Sequence, residues 1–140
     1  MNAIRIAVKS FIVVCATLLS LSQSGLSAAA DITQQQLLQR LESKAAPLIV
    51  DVRRPDEFAG GHIPQAVNIP HTEIAQRLDE LRPSLNNELV VYCESGRRAA
   101  IAQGIREQAG FTKVLHLKGD MKAWRKHGLP TEKPGSSPKS

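Results

Sequence analysis

Apolar positions along the chain alternate between two patterns. Four short segments, "LIVDV" (48–52), "AVNI" (66–69), "ELVVYC" (88–93) and "KVLHL" (113–117), are nearly continuous and rich in β-branched residues. Such runs read as strands buried on both faces. Between them, apolar residues recur three or four positions apart, the spacing of one helix face. Leu37, Leu38 and Leu41 give that stripe in 31–46, Ile74, Leu78 and Leu81 in 71–81, and Ile101, Ile105 and Ala109 in 97–109. A last helical piece, 121–127, surrounds Trp124.

The breaks fall between these elements. Thr33 and Gln36 make a capping-box pair, and Ile32 is placed to staple onto Leu37. Pro47 and Pro83 end the first two helices, and Pro70 closes the second strand. Gly110 stands where a left-handed cap is wanted, with Phe111 beyond it to touch the last turn. Residues 53–65 read as loop with one helical turn at 55–58. Strands alternating with helices predict an α/β domain whose central parallel sheet of four to five strands carries helices on both faces. The fifth strand is not evident; it is either a short edge strand near residue 32 or missing.

The two ends differ from this domain. Arg5 and Lys9 precede the apolar run "FIVVCATLLSLS", and small residues follow to Ala30. That order is the pattern of a cleavable signal peptide over 1–30, with the cut before Asp31. The run is shorter than the roughly 20 residues a spanning helix needs. Cys15 lies inside it, after Val14, which is the wrong setting for lipidation. Residues 130–140, "PTEKPGSSPKS", are polar and proline-rich and read as a disordered tail. The expected domain is therefore 31–129.

Loss of the leader takes two of the 18 basic side chains and none of the 13 acidic ones, leaving a net charge of +3. No block of five like charges exists, and aromatics are few, so nucleic acid is not an expected partner. No membrane contact is expected after cleavage. The four histidines fall on unrelated segments without ligand spacing, so no metal is expected. One cysteine remains in the mature chain, Cys93. It is a core residue, an intermolecular linker or a reactive thiol.

Local chemistry favours the reactive thiol. Cys93 ends a strand just before a helix, and ligands of parallel sheets bind beyond the carboxyl ends of strands. Unpaired N–H groups at a helix start carry partial positive charge, which stabilises a thiolate. Arg97 and Arg98 add full charges, and Gly96 lets the loop curl. The segment 94–98 can thus direct several N–H groups at the sulfur and hold an anion there.

Two motifs then carry a family resemblance. "DVRRPDEFAGGHIPQAVNIP" (51–70) is close to D-V-R-x-x-x-E-[FY]-x-x-G-H-I-x-G-A-x-N-I-P, and "VVYCESGRRAAIAQGIREQAGFTKVLHLKGDMKAW" (90–124) contains Y-C-x-x-G-x-R, G-[FY]-x-x-V and a variant of L-x-G-G-x-x-x-W. The chain resembles a single-domain rhodanese, a thiosulfate sulfurtransferase-like protein, and among these the small exported phage-shock type of the periplasm. The resemblance implies five parallel strands and covalent sulfur transfer. Cys93 would take the outer sulfur of thiosulfate as a persulfide and pass it to cyanide in an assay or to a thiol in the cell.

By the same resemblance, Glu94, Ser95, Gly96, Arg97 and Arg98 form the substrate-binding loop. Asp51, Arg53 and His62 support it, Arg98 closes it, and no metal or organic cofactor is needed. The expected partners are small sulfur-containing anions and thiol acceptors. A monomer is expected, with a Cys93-linked dimer as the alternative. The alternative function is a non-catalytic persulfide carrier that hands sulfur to a partner protein.

Three positions depart from the family pattern. Gln65 and Asp120 replace glycines and are expected to change only loop detail. Glu94 puts an acid beside the nucleophile, which is expected to weaken binding of an anionic donor. Two rival chemistries fit less well. Phosphatase loops of related form use C-x5-R, whereas Cys93 to Arg98 is C-x4-R, a smaller ring than phosphate needs. A thiol–disulfide oxidoreductase would need a second cysteine in C-x-x-C.

Overall fold

The computed structural model describes residues 30–43 and 46–135. Most of the expected leader and residues 136–140 lie outside it. Five strands form one parallel sheet in the order β1-β5-β4-β2-β3. They are β1 (Ala30–Ile32), β2 (Leu48–Asp51), β3 (Val67–Asn68), β4 (Leu89–Tyr92) and β5 (Val114–Leu117). The helices are α1 (Gln34–Glu42), α2 (Pro55–Ala59), α3 (Leu78–Leu81), α4 (Arg97–Gln108) and α5 (Asp120–Lys126).

The fifth strand is thus the short edge strand near residue 32. Its first residue, Ala30, is also the expected last residue of the leader, so a cut there leaves Asp31 and Ile32 to pair with His116 and Leu117. The first helix begins later than its apolar stripe suggests. Thr33 caps it: its hydroxyl accepts from Gln36 N–H at 3.2 Å, and Gln36 returns a bond to Thr33 N–H at 2.9 Å. Such a cap is worth about 1 kcal/mol and fixes where the strand stops and the helix starts.

Side chains of a strand alternate between faces. Leu89 and Val91 of β4, and Cys93 just after it, join the core beneath α3 and α4, with Val50, Ile74, Leu81, Ala99 and Ala102. Val90 and Tyr92 join the opposite core beneath α1 and α5, with Leu37, Ile63, Met121 and Trp124. Cys93 therefore belongs to the α4 side of the sheet.

Three expectations change. Residues 71–81 do not form one helix. His71 N–H bonds the Val52 carbonyl at 3.1 Å, which ties this stretch to the sheet edge. Successive turns closed mostly by bonds between residues three apart follow before α3, although Ile74 and Leu81 are still buried. In α4 the buried face is Ala99, Ala102, Gln103 and Arg106, while Ile101 is 49% exposed. Small residues let the helix start sit close to β4, and that rotation turns Ile101 outward. Burial with no hydrogen-bond partner among the described residues pulls Arg106 down to about 9. Beyond α4, Gly110 at φ 91° and Phe111 close the helix as expected, their N–H groups bonding the carbonyls of Glu107 and Arg106.

Pro130 and Glu132, expected to lie in a disordered tail, are bonded to the domain. The Pro130 carbonyl accepts from Trp124 Nε1–H at 2.8 Å, and Glu132 exchanges two backbone bonds with His62 at 2.9 Å each. These bonds pin the segment against the loop after α2.

Candidate active site

Cys93 follows β4 at the carboxyl edge of the sheet and is 1% exposed. Gly96, at φ 98°, is the N-cap of α4. That left-handed backbone reverses the loop, and Gly96 N–H donates to Cys93 Sγ at 3.1 Å. Strand end, turn and helix start thus bring a backbone donor to the sulfur.

A pocket of about 380 Å³ opens over this loop, lined by His71, Cys93, Ser95, Arg97, Arg98 and Ile101. Arg97 is exposed at its mouth. Arg98 is held by Glu57 through two bonds, 2.6 and 2.9 Å. This pairing raises Arg98 above the ordinary arginine value, with a smaller push from the Cys93 sulfur. Arg98 therefore fastens α2 to the start of α4 and keeps its charge in the pocket.

The partner carboxylate, Glu57, drops to about 2, first because of Arg98 and against partial burial. Its contribution to stability is complete above the unfolded glutamate range near 4.5 and is lost as pH falls through about 2. Glu57→Gln should destabilise the domain by about 1–2 kcal/mol at neutral pH, after allowance for solvent exposure. Thermal melts of both proteins should show that gap closing as pH falls from about 4.5 towards about 2.

Glu94 turns away from the pocket. Its carboxylate pairs with Arg125 and lies 3.8 Å from Arg53 Nη1. A larger cleft, about 600 Å³, runs past Arg53, Glu57, Glu94, Met121, Arg125 and Leu129. Cys93 is not among its walls; it lines the smaller pocket. Glu94→Ala frees Arg125 and makes the field near the loop more positive. The KM for thiosulfate should fall about two- to threefold at low ionic strength and converge with the parent value in salt. An unchanged or higher KM would show that Glu94 does not weaken the field.

The expected supporting residues divide into two groups. Asp51 and Arg53 form a buried pair, with Nη2 to Oδ2 at 2.6 Å and Arg53 N–H to Oδ1 at 2.9 Å. Arg53 also donates to the Gly61 carbonyl at 2.8 Å, and its guanidinium lies 5.8 Å from the centre of the Tyr92 ring. Burial works to lower Arg53, but Asp51 outweighs it and the net shift is upward. His62 stacks on Phe58 at 3.6 Å and its Nδ1 donates to the Phe58 carbonyl at 3.0 Å. No contact among the described residues joins His62 to Cys93.

Sequence reasoning missed His71, Glu57, His116 and Asp120. Glu57 stands in the first motif and could have been matched to Arg98. Asp120 was noticed only as a missing glycine. It does more than alter the loop: buried below Cys93, its Oδ1 accepts Cys93 N–H at 2.7 Å. Gln65, by contrast, is a left-handed loop residue at φ 66°, its N–H directed at Glu132 Oε2.

A cysteine held at a strand end by a C-x4-R loop, with its arginine tied to a motif carboxylate, is the arrangement the two sequence motifs imply. The rhodanese-like domain family matches residues 33–127.

The chain belongs to that family.

It is 38% identical over 104 residues to a sulfurtransferase of Allochromatium vinosum, covering 74% of this chain and 95% of that protein. It is 35% identical to the thiosulfate sulfurtransferase PspE of Escherichia coli over 75 residues, 54% of this chain and 72% of PspE. The solved human single-domain sulfurtransferase TSTD1 superposes with a TM-score of 0.62 at 27% identity, covering 70% of this chain and 96% of TSTD1. Two other curated relatives are longer, and the match to this chain spans 55% of the length of each.

Proposed function

We propose that this rhodanese is a thiosulfate sulfurtransferase working through a Cys93 persulfide. The supporting observation is the Gly96 N–H aimed at Cys93 Sγ in a pocket lined by Arg97 and Arg98. The Cys93 thiolate attacks the outer sulfur of thiosulfate. A new S–S bond forms, the donor's S–S bond breaks, and sulfite leaves with that electron pair. Backbone N–H groups of the loop hold the charge on the persulfide's terminal sulfur. Cyanide or an acceptor thiolate then attacks that sulfur, and Cys93 is released as thiolate. Arg97 draws the anion in, and Arg98 keeps the loop closed around it.

The reaction belongs in the periplasm, on the strength of the leader pattern in 1–30. Burial of Cys93 favours a monomer over a Cys93-linked dimer. Mass spectrometry of the thiosulfate-treated protein tests the common step. One added sulfur atom mapped to Cys93 is expected. An unmodified Cys93 would remove both the enzyme and the carrier.

A further inference from the structure

Beneath Cys93 lies a buried acid for which sulfur transfer, as written, has no use. Asp120 is 3% exposed and takes φ 51°, a backbone region that disfavours any residue with a Cβ. Its Oδ1 accepts Cys93 N–H at 2.7 Å, and its Oδ2 meets His116 Nε2 at 3.0 Å. The following residues continue the grip. Met121 N–H bonds the Cys93 carbonyl and Lys122 N–H the Glu94 carbonyl, each at 3.0 Å. A Cβ built on Gly96 would lie 3.2 Å from Asp120 Oδ2 and 3.3 Å from His116 Cε1. Acid and imidazole therefore pack directly under the residue whose N–H points at the sulfur.

Hydrogen bonding explains an acceptor at this place but not a full negative charge. A carboxylate beneath a sulfur that must become an anion opposes that anion in a site screened from water. The imidazolium of His116, 3.0 Å from Oδ2, lies where it can answer the charge. We propose that His116 and Asp120 form a charge couple that positions the Cys93 loop and sets how readily its sulfur carries negative charge. With His116 protonated the couple is neutral and the anionic sulfur is tolerated. Once His116 loses its proton, a net negative charge sits below the loop and the anion is disfavoured.

The surroundings keep His116 protonated above the usual histidine range, first through the hydrogen bond to Asp120, against partial burial. Asp31 on the neighbouring strand acts in the same direction, and its own charge is partly met by Lys118 at 3.6 Å. On the other side the strand partner is Val91, which carries no charge. Both residues act through the loop and not on substrate, so they are positioning residues.

The test needs no sulfur donor and so separates this inference from the sulfur-transfer reading. Cys93 in the full chain is alkylated with iodoacetamide from about pH 5 to about pH 9, where histidine titrates. Asp120→Asn keeps an oxygen for Cys93 N–H and removes the charge. It should alkylate about threefold or more faster above the parent's His116 midpoint, where the parent couple is negative, equivalent to about half a pH unit, and at a similar rate below that midpoint. His116→Gln should be slower by a similar factor, with its curve displaced to higher pH. If the two residues are only props, both variants will move the rate in the same direction, or scale it without displacement along the pH axis, and the inference fails.

A second measurement avoids both variants. Coupling is reciprocal, so a negative sulfur must raise the His116 midpoint by the same factor that His116 favours the sulfur's charge. The His116 imidazole, followed by NMR, should titrate at lower pH in Cys93→Ser than in the parent protein loaded with thiolate or persulfide. Identical midpoints would overturn the couple.

Discussion

Cys93→Ala should reduce sulfur transfer from thiosulfate to cyanide by at least about 10³-fold, to the background of the uncatalysed reaction. The size of the loss follows from the chemistry. In the proposed reaction the persulfide is a covalent intermediate on Sγ, and among the described residues no other cysteine is present to carry it. The loop's N–H groups and arginines would still gather thiosulfate, but gathering an anion breaks no S–S bond. Stability should change far less. The sulfur is buried in the α4-side core, and removing one atom there costs about 1 kcal/mol. Cys93→Ser sharpens the comparison. A hydroxyl keeps an acceptor for Gly96 N–H, so the loop holds its shape, yet a serine oxygen at neutral pH is a poor nucleophile toward sulfur. Steady-state assays with melting curves on both variants decide the matter. A folded alanine variant with substantial activity would return Cys93 to the core as a packing residue.

The fold was largely legible because each strand is buried on both faces and so is written as an unbroken β-branched run. β1 was the exception. Its three residues bury only Ile32, which leaves no run to see, and the same residues flank a strong helix cap at Thr33. The α4 face was misread for a related reason. Spacing favoured Ile101 and Ile105, and Ile105 does pack in part against this core, but the helix start must approach Cys93 closely, and there the small Ala99 and Ala102 face β4 while Ile101 turns outward. Close approach is a tertiary demand that hydrophobic periodicity does not encode.

The site divided along the same line. Cys93, Gly96 and Arg98 lie within six residues, so their shared role could be read from one segment. His71, Glu57 and Asp120 reach the loop from three other connections, each at the carboxyl edge of the sheet, and only the strand order brings them together. Glu94 shows the opposite error. Adjacency in sequence placed its charge beside the nucleophile, but the loop turns its side chain to Arg125 and Arg53.

Asp51→Asn should lower stability by about 3–5 kcal/mol, the range for breaking a buried ion pair from one side. Asp51 is fully buried and Arg53 is 2% exposed, so water cannot take over when the carboxylate is lost. One acid serves four donor contacts: the backbone N–H of Arg53, Nε to both oxygens, and Nη2. An asparagine can accept only part of this and supplies no charge. Arg53 would keep the Gly61 carbonyl and the more distant Glu94, neither of which neutralises a buried guanidinium. For a domain of about 100 ordered residues, the loss corresponds to a melting-temperature drop of more than about 10 °C. Urea titration should show the same loss with an unchanged slope, since the surface exposed on unfolding is similar. The double variant Asp51→Ala with Arg53→Met is the decisive companion, because replacing both charges by apolar groups removes the stranded cation. It should recover most of the stability while leaving the Cys93 loop without the Arg53–Glu94 contact. Full stability in Asp51→Asn alone would mean that the pair is not the buried clamp its geometry describes.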